Sequence, residues 1–115
     1  MIVAGFGYRS GATEASLRAA LALAQAGAPP VTHVATLADK LALLETLALP
    51  TIAVEAVADI ATPTRSAASL AARGTGSVAE AAALAAAGPG ARLLVPRQIS
   101  PDRMATCAIA EGAPA

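Results

Sequence analysis

The sequence predicts a single three-layer α/β domain over residues 1–115, with a mostly parallel sheet and an antiparallel last strand. Three observations predict this fold. Short apolar runs alternate along the chain with longer segments of helical periodicity, which is the pattern of βαβ units. Glycine-rich turns open two of the helical segments. Only about eight residues separate the last two apolar runs, fewer than the dozen or so that a parallel crossover needs, so the last strand is expected to run antiparallel.

The predicted strands are short runs of small aliphatic residues, bounded by glycine, proline or polar residues. Aromatic residues make up only 2% of the chain, so the core must be built from small side chains that let helices lie close to a sheet. The strands are expected at residues 2–6, 31–36, 51–54, 91–95 and 104–110.

The predicted helices lie between these strands. The first follows a glycine turn and ends at the glycine and prolines of residues 27–30. Thr36, with Asp39 three residues later, resembles a capping box and predicts the start of a second helix. Ser77 and Glu80 form a similar box ahead of an alanine-rich third helix.

Composition and charge limit the possible partners. The eight basic and eight acidic residues cancel, so the chain lacks the electrostatic footprint of a nucleic-acid binder or a polybasic membrane anchor. No apolar segment reaches bilayer-spanning length, and we expect a cytoplasmic protein. Cys107 is the only cysteine and His33 the only histidine, so one chain cannot assemble a closed zinc site. We expect neither a metal nor an organic cofactor.

Two glycine-rich turns predict an anion site. Residues 5–11 (GFGYRSG) and 74–77 (GTGS) each precede a helix, and a helix entered through glycines presents unpaired N–H groups and its positive dipole end to a ligand. The third glycine of the first turn is Gly11, which does not match the G-x-G-x-x-G spacing of a dinucleotide site. A nucleotide-binding domain with phosphate on the first turn is one alternative function.

Basic residues also follow the predicted strands, where ligands of open α/β sheets bind. Arg65 and Arg73 belong to segment 61–76, which has no clear periodicity and is expected to be a functional or disordered loop. A cationic rim would attract carboxylates or phosphates. The predicted ligand-binding residues are Gly5, Gly7, Tyr8, Arg9, Ser10, Gly11, Thr13, Arg65, Arg73, Gly74, Thr75, Gly76, Ser77 and Arg97.

Lys40 and Glu80 are the candidate catalytic residues. Lys40 lies in a first helical turn, where the helix dipole disfavours a cation, and this cost is compatible with a role toward a ligand. Glu80 has a structural interpretation as well, because with Ser77 it can satisfy N–H groups at a helix end. No nucleophile, base and orienting acid are arranged at a recognisable spacing, so the sequence favours binding over catalysis and leaves enzymatic activity open.

Four stretches, in this order along the chain, resemble one known family. They are residues 5–13 (GFGYRSGAT), 35–40 (ATLADK), 74–84 (GTGSVAEAAAL) and 105–110 (ATCAIA), and the third is the most specific. Together they resemble the CobE and CbiG carboxy-terminal domain family of cobalamin (vitamin B12) biosynthesis. The resemblance implies an α/β domain acting in corrin-ring synthesis. The implied ligand is a precorrin or corrin tetrapyrrole, rich in acetate and propionate carboxylates, and other corrin-pathway enzymes are implied as possible partners.

The resemblance also defines an enzymatic alternative. In CbiG, which contains further domains, the family activity opens a lactone on a cobalt-precorrin and releases acetaldehyde. A similar precorrin-5A hydrolase activity in this chain would use Lys40 or Glu80. The chain looks like the stand-alone CobE form, so the expected function is binding of a precorrin-type intermediate through its carboxylates.

Overall fold

The structure, a computed structural model, describes residues 1–55, 57, 60, 62, 64 and 77–113. Strands alternate with helices through this part of the chain, as the apolar periodicity predicts, except that a short connection joins the last two strands directly. None of the described helices combines the length and apolar character needed to cross a bilayer. The strands are β1 (Ile2–Tyr8), β2 (His33–Leu37), β3 (Thr51–Val54), β4 (Arg92–Ile99) and β5 (Ala105–Glu111), and the α-helices are α1 (Glu14–Gln25), α2 (Leu41–Leu44) and α3 (Val78–Ala87).

The strands form one mixed sheet in the order β3-β2-β1-β5-β4. β2 pairs parallel with β1 and β3, whereas β5 pairs antiparallel with both β1 and β4. Strands β1 to β4 therefore run in one direction and β5 runs against them. This confirms the predicted α/β fold with its antiparallel last strand. β5 is inserted between β1 and β4 because a short connection brings it back beside β4.

Helices cover both faces of the sheet and bury a separate cluster on each. On the face of α1, Phe6, Leu17 and Ile109 belong to a cluster with large aliphatic and aromatic side chains. On the opposite face, Val3 and Ala35 pack with the alanines of α3. The alternation along β1, with Phe6 directed to one cluster and Val3 to the other, produces the three layers.

Two strands are longer than the apolar runs predict. β1 continues to Tyr8 and β4 continues to Ile99 because both pair with β5 along their polar ends. Gly5 and Gly7 therefore lie inside β1 and not in the turn that follows it. Arg97 lies inside β4, whereas the sequence placed it in the loop after that strand.

The helix start predicted at Thr36 is wrong. Thr36 is a buried residue of β2, paired in register with Ala53 of β3, and its hydroxyl donates a 2.8 Å hydrogen bond to the Phe6 carbonyl. The following residues form a 3₁₀ turn (Ala38–Lys40) whose N-cap, Leu37, makes no side-chain capping bond. The strand pairing on both sides of β2 outweighs the local capping pattern.

Candidate functional site

The carboxyl ends of β1 to β4 meet at one side of the sheet, which we call the carboxyl edge. The β4–β5 connection, residues 100–104, lies at the same edge because β5 starts there. The Arg9 amide donates a 2.9 Å hydrogen bond to the Met104 carbonyl. The first turn and the β4–β5 connection are therefore direct neighbours.

The first turn is tight and exposed. The Ala12 amide donates to the Arg9 carbonyl at 3.0 Å, and Arg9, Ser10 and Gly11 are exposed. Gly11 has φ 93°, a backbone conformation that L residues with a side chain rarely adopt. Glycine is needed at position 11 for this turn, and the turn presents Arg9 at the carboxyl edge.

Thr13 ends this turn as the N-cap of α1. The Ser16 amide donates to the Thr13 hydroxyl at 3.3 Å, and the Thr13 amide donates to the Ser16 hydroxyl at 3.1 Å, which is a reciprocal capping box. Two of the N–H groups expected to face a ligand are thus bonded within the protein. Thr13, predicted to bind ligand, has a structural role in this arrangement.

Asp102 is a residue of this site that the sequence analysis missed. Its carboxylate accepts hydrogen bonds from the Ser100 hydroxyl at 2.5 Å, the Ser16 hydroxyl at 2.6 Å and the Met104 amide at 3.0 Å. The hydrogen bonds from Ser100 and then Ser16 hold the pKa of Asp102 below its ordinary value. The protein thereby places its own carboxylate near the start of α1.

Tyr8 and Lys40 are brought together at the same edge. The Tyr8 hydroxyl donates a hydrogen bond to the Lys40 carbonyl, and the Lys40 ammonium lies 5.1 Å from the centroid of the Tyr8 ring, within cation–π range. Burial, more than the nearby charge of Asp39, raises the pKa of Tyr8. The contact fixes the turn after β2 against the end of β1.

Glu80 lies in the first turn of α3 and is fully buried. Its amide donates to the Ser77 hydroxyl at 3.3 Å, so Ser77 caps α3 as predicted. The Glu80 carboxylate does not close the capping box. It accepts from the Thr64 amide at 2.9 Å, the Thr64 hydroxyl at 2.8 Å and the Arg97 amide at 2.8 Å. The Arg97 amide is available because a register shift interrupts the β4–β5 ladder between Val95 and Gln98.

The two candidate catalytic residues do not come together. Tyr8, which lies under the Lys40 ammonium, packs against the cluster on the α1 face. Glu80 belongs to α3 on the opposite face and is bonded to the edge strand β4, which two strands separate from β2. The sheet therefore lies between Lys40 and Glu80.

Gly5 and Gly7 have a packing role inside β1. A Cβ atom on Gly5 would lie 2.2 Å from the Ala79 carbonyl oxygen and 2.4 Å from the Ala83 nitrogen. A Cβ on Gly7 would lie 3.1 Å from the Thr106 hydroxyl oxygen. The absence of a side chain at Gly5 lets the backbone of α3 rest directly on the sheet.

The carboxyl edge carries charges of both signs in the described part of the chain. Arg103, in the β4–β5 connection, adds a basic residue that the sequence analysis did not assign to this edge. The predicted antiparallel last strand already implied that this connection lies at the carboxyl edge. Its charged residues could therefore have been included among the predicted residues of that edge. Arg9, Lys40, Arg97 and Arg103 lie at or near this edge, together with the acidic residues Asp39, Glu55 and Asp102.

Five predicted ligand-binding residues, Arg65, Arg73, Gly74, Thr75 and Gly76, lie outside the described residues, as does most of the loop predicted at 61–76. Within the described ranges, no group of three His, Cys, Asp or Glu side chains is placed to hold a metal ion. Cys107 is buried in β5, and burial raises the pKa of its thiol.

Residues 2–110 match the family described as cobalamin synthesis G C-terminus, CbiG_C. The crystal structure of CobE, a protein from the cobalamin (vitamin B12) biosynthetic pathway, is similar with 30% identity and a TM-score of 0.81, over 96% of this chain and 89% of that one. The crystal structure of cobalamin biosynthesis protein chiG from Agrobacterium tumefaciens str. C58 is similar with 34% identity and a TM-score of 0.70, over 99% and 100% of the two chains. No curated protein matches the chain.

Proposed function

The chain belongs to the cobalamin synthesis G C-terminus family, which places its function in cobalamin biosynthesis, and we propose that it binds a precorrin or corrin intermediate through the carboxylates of that tetrapyrrole. The observation that carries this proposal is the position of exposed Arg9 on the turn after β1, at the carboxyl edge of a domain of this family. A guanidinium there can take a carboxylate in a bidentate pair.

Lys40 and Tyr8 supply a second contact region at the same edge. The Lys40 ammonium above the Tyr8 ring can meet another carboxylate, while the ring offers an apolar surface. A tetrapyrrole has both kinds of surface, since carboxylate side chains surround a largely apolar macrocycle. In this proposal the protein acts in the cytoplasm, exchanges its ligand with other corrin-pathway enzymes, and uses neither nucleic acid nor membrane.

Binding is preferred over the alternative of a CbiG-like precorrin hydrolase. Lys40 and Glu80 lie on opposite faces of the sheet, and three donors within the protein already engage the Glu80 carboxylate. The alternative of a nucleotide site is also weakened, because Gly5 and Gly7 belong to β1 and not to the phosphate-sized turn.

The test is incubation of the purified chain with precorrin and cobalt-precorrin intermediates, followed by gel filtration and mass spectrometry of the retained ligand. An unchanged ligand mass is expected for a binding protein. Loss of a two-carbon fragment would establish hydrolysis, and retention of no tetrapyrrole would overturn both functions.

Affinity should also depend on charge. Replacement Arg9→Glu is expected to weaken binding roughly ten- to a hundredfold, because a charge-assisted hydrogen bond contributes about 1.5–3 kcal/mol. Arg92→Glu is the matched control, since Arg92 is exposed at the first residue of β4, on the opposite edge of the sheet. Wild-type affinity should fall along a chloride series as salt screens the charges. Equal affinities for the two variants would remove Arg9 from the site.

A further inference from the structure

Arg103 occupies a backbone conformation that does not suit an arginine. Its φ is 61°, in the left-handed region, and the residue is exposed. Non-glycine residues are uncommon there, and those found are enriched in asparagine and aspartate. Glycine would adopt this conformation without the steric cost of a Cβ. The conformation is imposed by the connection itself, where the Arg103 amide donates to the Ser100 carbonyl at 2.8 Å and the Met104 amide donates to Asp102 at 3.0 Å.

The strand register brings the backbone of Arg103 close to that of Arg9. Tyr8 of β1 pairs with Ala105 of β5, and the next rung is the 2.9 Å hydrogen bond from the Arg9 amide to the Met104 carbonyl. Arg103 is therefore one residue beyond the partner of Arg9. Both arginines are exposed at the carboxyl edge.

Neither arginine is neutralised by an ion pair within the described residues. Asp102 is the acidic neighbour of Arg103 in the chain, but its carboxylate accepts from Ser100, Ser16 and the Met104 amide. The two guanidiniums with Asp102 still leave this corner of the edge positively charged. It can attract an external carboxylate.

We propose that Arg103 and Arg9 form a two-arginine site for a carboxylate-bearing ligand, with Arg103 as a binding residue that retains its side chain at a position better suited to glycine. The site itself follows from the positive φ, the register and the free guanidiniums. Its assignment to a tetrapyrrole carboxylate rests on the proposed function. Paired guanidiniums bind carboxylates with more geometric specificity than lysines do, because each presents a planar fork of donors.

The test uses Arg103→Gly with citrate as the probe. The variant removes the guanidinium and relieves the left-handed backbone, so its thermal midpoint should stay equal or rise while its citrate affinity falls about tenfold. If Arg103 had a purely structural role, the substitution would not lower the citrate affinity while the thermal midpoint stayed equal or rose. The matched control is Ala48→Gly, because Ala48 is exposed, has φ 58° and lies just ahead of β3, away from the carboxyl edge. It should raise the thermal midpoint without changing citrate affinity.

Side-chain NMR of the arginine Nε–H groups gives a direct readout on the wild-type chain. Citrate should shift the Arg9 and Arg103 signals with one common dissociation constant and leave those of Arg18 and Arg92 in place. Unchanged citrate affinity in Arg103→Gly, or an absence of saturable citrate binding to wild type, would overturn the two-arginine site.

A parallel titration with uroporphyrin, whose pyrroles each carry an acetate and a propionate, separates this proposal from the proposed function. Citrate binding through Arg103 without uroporphyrin binding would support the arginine pair and count against the tetrapyrrole. Uroporphyrin binding to wild type, with identical citrate affinities in wild type and Arg103→Gly, would support the tetrapyrrole function and remove the pair.

Discussion

Helices α1 and α3 begin with similar sequence signals but are stabilised in different ways. At α1, Thr13 and Ser16 complete a reciprocal capping box, and the nearby carboxylate comes from exposed Asp102 of another element. At α3, Ser77 is a buried cap, and the carboxylate of Glu80 belongs to the helix itself but bonds outward. The sequence thus identified the cap of α3 but not Thr13 as the cap of α1, and the carboxylate of each site followed tertiary contacts.

The two helices also pack against the sheet in different ways. α1 rests on the sheet through large side chains, including Leu17 against the cluster of Phe6 and Ile109. α3 rests on it through alanines and the bare backbone of Gly5. Large side chains can adjust to a substitution by changing rotamer, while backbone against backbone cannot. The α3 side should therefore tolerate substitution less well than the α1 side.

The largest effect is expected for Gly5→Ala. The new Cβ would overlap the Ala79 carbonyl oxygen and the Ala83 nitrogen, so α3 would have to move away from the sheet, with an expected loss of about 3 kcal/mol in the free energy of unfolding. Gly27→Ala, just after α1, is the control. Its Cβ would lie 3.3 Å from a Val95 methyl group, and we expect a change below about 1 kcal/mol. Urea unfolding of both variants measures the difference, and equal losses would contradict the contrast between the two faces.

Glu80→Gln should have the next largest effect. A glutamine has one acceptor oxygen where Glu80 has two, and its NH₂ group would face a donor from Thr64 or Arg97. Leaving a buried donor unsatisfied costs about 1–3 kcal/mol, which we expect in urea unfolding.

Thr64→Val is the control for Glu80→Gln because it removes only the hydroxyl bond to the same carboxylate and keeps the amide bond. Its expected loss is about 1 kcal/mol, near the value of a single hydrogen bond. A Glu80→Gln variant as stable as wild type would mean that the carboxylate does not hold β4 and residue 64 together.

The fold could be predicted from the sequence because its main signals are local. Apolar runs, helical periodicity and the short final connection are each contained in a few neighbouring residues. Strand ends were predicted poorly at Tyr8 and Arg97. Tyr8 becomes strand by pairing with β5, and β4 continues past Arg97 because Gln98 and Ile99 pair with β5. Thr36 shows the reverse case, in which pairing with Ala53 of β3 and the hydroxyl bond to the Phe6 carbonyl override a local helix-start signal.

The candidate site was less predictable because its contacts join distant parts of the chain. Arg9 could be placed at the carboxyl edge because it lies in the glycine-rich turn that follows the first apolar run. The hydrogen bond of Ser16 to Asp102 spans 86 residues, and no periodicity in either segment marks it. The φ of Arg103 likewise results from the geometry of the β4–β5 connection and not from the residue itself.

The smallest effect concerns Asp102 and depends on pH. Its pKa is lowered in the folded protein, so the unfolded chain binds more protons in the acidic range. The stabilisation is therefore fully present above the ordinary pKa of about 3.9 and is lost as the pH falls through the lower folded pKa. The thermal midpoint of Asp102→Asn should lie below that of wild type at neutral pH, and the two should converge in strong acid.

Two serine variants test this prediction through the pKa of the Asp102 carboxyl group. The hydrogen bond from Ser100 lowers the pKa of Asp102 more than the bond from Ser16 does, so Ser100→Ala should raise that pKa further than Ser16→Ala. Carbon-13 NMR of the Asp102 carboxyl group across the acidic range measures each midpoint. A wild-type midpoint at or above about 3.9 would contradict the hydrogen-bonded carboxylate. It would also mean that the hydrogen bonds to Asp102 do not make stability depend on pH at the start of α1. The contrast with α3 depends on those bonds, because Asp102 is exposed whereas Glu80 is buried.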